Sequence, residues 1–305
     1  MTRSVGILIP TYNRWDLLAQ LLNRLGSQFR TSSSVDCSVD PSVATPLNSD
    51  QHSSRDSWPV ELLWIVIIND GGSKPGQALL QLLSTIKEQW HRDHGLSTNI
   101  HILTLPTNQG QQIATLSGLQ FLLSQSNAPE CIITMDDDGG HPPEMVPAIL
   151  ALLERQGPAG LVYGYPHRRP NRSQIHRSTG TKLNTWLFQR YLGLPKGVQV
   201  GSFRGFTREI ARAALEVPVT VPYLSAMLLT AGAQVDAIQW DYQQIQHQEA
   251  ESISTRSKYS LWSLALTYFK LLVHWGPFTF LLKLKRNQIQ KPFFQDQNLV
   301  RIQHL

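Results

Sequence analysis

Apolar residues along this chain fall in short runs, and most runs end on polar or glycine punctuation. Val5 to Ile9 in "SVGILIPTYN" reads as a buried strand that ends at Pro10. Trp15, Leu18, Leu21, Leu22 and Leu25 then recur at helical spacing. "VELLWIVIIND" (60–70) is a second buried strand and stops at "NDGGS". Residues 76–90 carry a helical pattern, and "NIHILTLP" (99–106) reads as a third strand. "NQGQQIATLSGLQFLLSQ" (108–125) reads as a helix entered through a glycine turn. "ECIITM" (130–135) is a fourth strand. Strands alternating with helices predict an α/β fold, a parallel sheet with helices on both faces. One stretch breaks the alternation. Residues 31–59 are polar, Ser-rich and punctuated by prolines, which predicts a flexible surface insertion outside the core.

In open sheets of this kind, ligands bind beyond the carboxyl ends of the strands. Three of the predicted strand ends carry polar punctuation: "PTYN", "NDGGS" and "MDDDGG". The last places Asp136, Asp137 and Asp138 side by side. Adjacent carboxylates repel, so a purely structural turn gains little from them, although Asp and Gly are also common in solvated turns. Carboxylate oxygens suit Mg²⁺ or Mn²⁺.

Composition adds a compartment and a charge asymmetry. Hydrophobic residues make up 41% of the 305, enough for a sizeable core. Cys37 and Cys131 are the two cysteines and form no disulfide framework, which points to a reducing, cytoplasmic compartment. "MTRSVGILIP" runs straight into a strand pattern with no signal peptide. Residues 1–154 carry eight Lys and Arg against fifteen Asp and Glu, a balance of −7. Residues 155–305 carry nineteen against seven, a balance of +12. The 54 residues from Arg155 to Arg208 hold ten Arg or Lys and no acid. An anionic partner for the second half follows. Nucleic acid would also use these arginines, but it gives no reason for a carboxylate triplet at a strand end.

"ILIPTYNRWDLL", "IVIINDGGS", "NQGQQIATLSG" and "MDDDGGHPPE" come in the order and spacing of family 2 glycosyltransferases of the GT-A fold. The chain most resembles the branch that moves sugars onto polyprenyl phosphates, the dolichyl-phosphate mannose synthase and undecaprenyl-phosphate sugar transferase type. "GSFRGFTRE" and "HQEAESISTRSKYSLWSL" are similar to later segments of that branch, so the likeness runs from about residue 4 to 264 with the insertion removed. The resemblance implies a Rossmann-like mixed sheet and an inverting, metal-dependent transfer from a nucleotide-sugar. It assigns Pro10, Tyr12, Asn13, Asp70, Gly110, Asp136, Ser257 and Lys258 to the nucleotide-sugar. Asp136, Asp138 and His247 would hold Mg²⁺ or Mn²⁺, and Asp138, Arg204 and His247 would act in catalysis. Ser257, Lys258 and Tyr259 would form a lid. Asp137 replaces a small residue and receives no catalytic role, because alternate side chains of an extended segment point opposite ways. His141 fits a turn residue better than a ligand. The chain departs from the family at Asn69, where the turn usually opens with an acid, and at Gly140, where relatives carry glutamine. The arginine that precedes the lid in relatives has no clear match.

An alcohol acceptor needs a base to take its proton. Relatives with hydroxyl acceptors usually place an acidic pair at the start of a helix, yet no acid lies between Glu216 and Asp236. A phosphate acceptor is already ionised and needs positive charge, which Arg168, Arg169, Arg172, Arg177 and Arg204 supply. These absences predict a polyprenyl phosphate acceptor, with a glycan hydroxyl or a silent, partner-binding protein as alternatives. Residues 1–258 form the expected catalytic domain. The tail, 259–305, opens with apolar residues interrupted by Lys270, His274 and Gly276-Pro277. That pattern predicts amphipathic helices on the cytoplasmic membrane surface rather than a spanning helix. No pattern specifies an oligomeric state.

Overall fold

The computed structural model describes residues 4–29, 44–46, 60–166, 185–219, 221–240, 274–275 and 301–304. In chain order the first half contains β1 (Ser4–Thr11), α1 (Trp15–Gly26), β2 (Ala44–Pro46), β3 (Leu62–Asn69), α2 (Gln77–His94) and β4 (Ser97–Thr104). It continues with α3 (Gln111–Leu123), β5 (Cys131–Thr134), α4 (Val146–Gln156) and β6 (Gly160–Pro166). The described part of α5 covers 185–191. Then come β7 (Arg204–Thr207), α6 (Arg208–Leu215), α7 (Leu224–Thr230), β8 (Gln234–Trp240) and β9 (Arg301–His304).

The strands form one sheet in the order β2-β8-β6-β7-β5-β1-β3-β4-β9. β4, β3, β1 and β5 run parallel in succession. β7 pairs antiparallel to both β5 and β6, so the sheet is mixed, as the resemblance implied and as alternation alone did not. The central strands are continuous apolar runs because helices cover both faces. Ile7, Ile9, Ile65 and Ile67 pack with Leu18, Leu22, Leu83 and Ile149 on one face. Leu8, Val66 and Ile68 pack with Leu116, Leu119, Phe188, Ile210 and Leu228 on the other. A Cβ on Gly118 would lie 2.7 Å from Ile68, so that glycine permits the close approach of α3 to the sheet. β1 extends through Pro10, which the apolar pattern took as its end. Proline is tolerated there because β5 pairs with β1 only as far as Leu8.

The insertion and the tail each contribute a short strand at a sheet edge. Within the 31–59 insertion, Ala44–Pro46 pairs antiparallel with β8. Within the tail, Arg301–His304 pairs antiparallel with β4. Both segments use the unpaired backbone of an edge strand, which apolar patterning does not report. The tail also supplies Trp275, which is buried against the α3, α6 and α7 side of the sheet and donates Nε1–H to the Val221 carbonyl at 3.3 Å. The boundary expected at residues 258 and 259 lies outside the described residues. Among the described residues, no helix is long and apolar enough to cross a membrane.

Candidate active site

The carboxyl ends of β1, β3 and β5 open on the same edge, because the three strands are parallel and adjacent. Asp70 N donates to the Thr11 carbonyl at 3.0 Å, and Met135 N donates to that of Leu8 at 3.1 Å. Those bonds carry the sheet register into the two polar turns. Asn69 is fully buried at the end of β3. Its Oδ1 accepts Gly72 N at 3.1 Å, while its Nδ2 donates to the carbonyls of Ser73 at 3.1 Å and Gly72 at 3.4 Å. A carboxylate cannot donate, so asparagine suits this turn better than the usual acid. Asn13, in the left-handed region at φ 56°, accepts from both the amide (2.7 Å) and the hydroxyl (2.8 Å) of Ser73. Asp70 accepts Gln109 N at 2.7 Å and Gly110 N at 2.9 Å, which anchors the glycine turn that starts α3. Gly110 has φ +87°, a conformation that favours glycine. Tyr12 stands exposed beside these turns.

The aspartate turn splits as strand alternation predicts. Asp136 faces a pocket lined by Pro10, Gln111, Thr134, Ser202 and Arg204. Gln111 Nε2 donates to its Oδ1 at 2.5 Å, and the Ser202 hydroxyl donates to its Oδ2 at 3.1 Å. His141 Nδ1 accepts the Asp136 amide at 2.8 Å, which leaves the proton of a neutral ring on Nε2, 3.4 Å from the Ser202 hydroxyl. The ring also stacks on Phe203, so His141 fixes the turn. Asp138 Oδ1 accepts Gly140 N at 3.0 Å. A Cβ at residue 140 would sit 3.0 Å from that same oxygen, so a side chain there would crowd the Asp138 carboxylate.

Asp137 points away from the pocket and is fully buried. Arg14 lies 2.7 Å from its Oδ1 and 3.6 Å from Asp138 Oδ2. Burial raises the Asp137 pKa from 3.8 to about 6, with the Thr11 hydroxyl and Arg14 opposing it.

Arg204 begins β7 at 2% exposure. It donates to the Ser225 hydroxyl at the start of α7 and to the Gly201 carbonyl at 3.3 Å. Its Nε has no hydrogen-bond partner among the described residues, and no carboxylate there forms an ion pair with it. Burial lowers its pKa, opposed by Tyr163, Tyr223 and Asp136. Burial also pushes the Tyr163 phenol up to about 12, so this neighbour is no counter-ion at neutral pH. Among the described residues, the cation on this pocket therefore has only neutral groups as direct partners.

Pro10, Asp136 and Arg204 thus meet in one pocket, with Asp138 in the adjoining turn; Tyr12, Asn13, Asp70 and Gly110 gather at the neighbouring strand ends. Arg168, Arg169, Arg172, Arg177, His247, Ser257, Lys258 and Tyr259 lie outside the described residues. Sequence reasoning missed Arg14, Gln111, Ser202 and Ser225. The first three stood inside motifs already noted, "ILIPTYNRWDLL", "NQGQQIATLSG" and "GSFRGFTRE", but their partners lie on other elements, and Ser225 stood in no motif.

Residues 50–215 match the family model described as "Glycosyl transferase family 2", and the chain belongs to that family. It is 25% identical over 214 residues to the undecaprenyl-phosphate 4-deoxy-4-formamido-L-arabinose transferase of Klebsiella pneumoniae, covering 70% of this chain and 51% of that one. The enzyme of the same name from Yersinia enterocolitica is 23% identical over 271 residues, 88% of this chain and 67% of its own. The chain thus spans about half to two thirds of the length of these relatives. Among solved structures, mannosyl-3-phosphoglycerate synthase from Rubrobacter xylanophilus aligns at TM-score 0.45 and 12% identity, over 99% of this chain and 86% of that one.

Proposed function

We propose that the protein transfers a sugar, with inversion, from a nucleotide-sugar to a polyprenyl phosphate at the cytoplasmic surface of a membrane. The observation that carries this reading is Arg204, a buried cation on the Asp136 pocket with no carboxylate partner among the described residues. Keeping such a charge away from water is costly unless an anion joins it. A phosphate supplies that anion. The start of α7, where a base for an alcohol acceptor is expected, carries Ser225 bound to Arg204 instead of an acid. An ionised phosphate oxygen attacks the anomeric carbon without losing a proton. The bond to the nucleotide diphosphate breaks, and its electron pair leaves on the diphosphate. The names of the curated relatives specify undecaprenyl phosphate, which supports the same acceptor class.

Asp136 and Asp138 fit a Mg²⁺ or Mn²⁺ ion. Among the described residues no cluster of three or more acidic, histidine or cysteine side chains forms a complete cage. Mg²⁺ is commonly held by one or two carboxylates, with substrate phosphates and water completing its shell. When bound, the ion would neutralise charge developing on the leaving diphosphate. Gln111 and Ser202 hold the Asp136 carboxylate in place, and the 140 amide holds that of Asp138. Tyr12 and Asp70 stand at the strand ends assigned to the nucleoside, with Asn13 and Gly110 shaping the turns. By their charge, Arg168, Arg169, Arg172 and Arg177 would hold the acceptor phosphate; by the resemblance, His247, Ser257 and Lys258 would close on the donor diphosphate. Asn69 has a turn-forming role that accounts for its departure from the family pattern, which removes one argument for a silent protein.

The test offers a panel of radiolabelled nucleotide-sugars with polyprenyl phosphate beside a soluble glycan. Label should enter the lipid phosphate. Asp136→Asn and Asp138→Asn should each lower transfer by roughly 10²-fold or more while the protein stays folded. Full activity in EDTA would remove the metal, and label in the glycan alone would remove the phosphate acceptor.

A further inference from the structure

We propose that α5 and the turn after it dock on an anionic lipid surface, with Trp186, Arg190 and Tyr191 entering the headgroup layer. The proposal rests for its purpose on the polyprenyl phosphate reading, but the docking itself needs no donor sugar. α5 is apolar on its inner side, where Leu187 and Phe188 are buried and Phe188 meets Tyr223 edge to face at 5.6 Å. Its outer side is also aromatic. Trp186 is 52% exposed and Tyr191 37%, two of the four large hydrophobic side chains exposed among the described residues. Their rings meet at 6.1 Å, and the Arg190 guanidinium lies 5.2 Å from the centre of the Tyr191 ring.

Trp and Tyr with an adjoining cation form the side-chain set that settles at a membrane interface. The rings enter the boundary between headgroups and chains, their polar tips remain wet, and the cation meets lipid phosphates. Charge selects the lipid. Exposed Lys196 follows in the turn, and Arg155 to Arg208 contains ten basic residues and no acid, so this stretch offers nothing to repel an anionic surface. A protein partner would be expected to meet some acidic complement here; a headgroup layer requires only cations and amphipathic rings. The same chain runs on through buried Leu194 and Val198 to Ser202 and Arg204 of the pocket. Tyr165 ties that turn to β6 by donating to the Gly197 carbonyl at 2.9 Å. Trp275, one of the two described residues in the apolar part of the tail, is buried.

The test uses the full chain and phosphatidylcholine vesicles with and without phosphatidylglycerol. The wild type should sediment with the anionic vesicles, and W186A/R190A/Y191A should partition on the order of tenfold less. Lipids brominated along the chain should quench wild-type tryptophan fluorescence, and Trp186→Phe should lose part of that quenching, which a folding defect elsewhere would not mimic. The proposal falls if the wild type ignores anionic vesicles, or if the triple variant binds them equally and Trp186→Phe quenches as the wild type does. It also falls if the triple variant changes only the association state, which would assign the face to a second copy of this chain. Docking without any turnover of nucleotide-sugar would sink the glycosyltransferase reading and leave this one; transfer with unaltered docking in the variants would do the reverse.

Discussion

Asp137 and Arg204 are both ionisable and both buried, one just past the end of β5 and one at the start of the neighbouring β7, yet they are treated differently. Asp137 has the Arg14 guanidinium 2.7 Å from its Oδ1. Arg204 has a hydroxyl, a carbonyl and a neutral phenol. A buried acid with a partner cation is a structural solution: it ties α1 to the aspartate turn and leaves Asp136 and Asp138 facing out. A buried cation that no carboxylate pairs among the described residues leaves room for an anion from outside. The pair teaches that burial of charge does not itself mark function; the mark is the missing counter-ion.

The largest expected effect breaks this contrast at Arg204. Arg204→Met should lower transfer by roughly 10²-fold or more, because a charge-assisted contact to phosphate disappears. Its thermal midpoint should hold or rise, since an apolar side chain of similar length removes a buried charge that no carboxylate pairs among the described residues. A large fall in the midpoint, measured by calorimetry, would make Arg204 structural and erase the distinction.

Next is the pH dependence of Asp137 in EDTA-treated protein. Its folded pKa, about 6, lies above its ordinary value of 3.8, so the folded state binds the proton more tightly. The stabilising contribution is therefore full below about 4 and is lost as pH rises through about 6. The loss should be at most about 3 kcal/mol. Urea titrations from pH 4 to 8 should show this slope, and Asp137→Asn should flatten it. An unchanged slope in the variant would move the titration to another group.

The smallest effect sharpens the contrast from the other side. Arg14→Met should cost about 1 kcal/mol, less than for a fully buried pair because Arg14 is 45% exposed and screened by water. Combined with Asp137→Asn, the cost should shrink. A purely additive double variant would show that the 2.7 Å contact carries no coupling.

Much of the donor side was legible because its signals are local. Runs of Val, Ile and Leu mark strands, helical spacing marks α1 and α3, and the punctuation after β1, β3 and β5 falls where parallel strands must share an edge. The acidic triplet could be divided by alternation alone, and the structure divides it in that way. The acceptor side was less legible. β7 enters antiparallel between β5 and β6, a pairing that no periodicity announces, and Arg204 meets Ser225 only because α7 returns across that strand. Arg14 and Asp137 lie on different strand ends, far apart in the chain, so their pairing had no sequence signal.

The two tryptophans show where the boundary falls. Trp186 and Trp275 both sit in apolar, aromatic-rich stretches, and Trp275 belongs to the tail whose pattern predicts helices on a membrane surface. In the structure Trp275 is buried and Trp186 is 52% exposed. The sequence by itself determined the element types, the family, the strand-end position of Asp136 and Asp138, and the basic character of the second half, since each depends on neighbours within a few residues. Only the tertiary structure decided which charges are buried and which of them pair among the described residues, because burial is a property of what distant segments bring against a side chain.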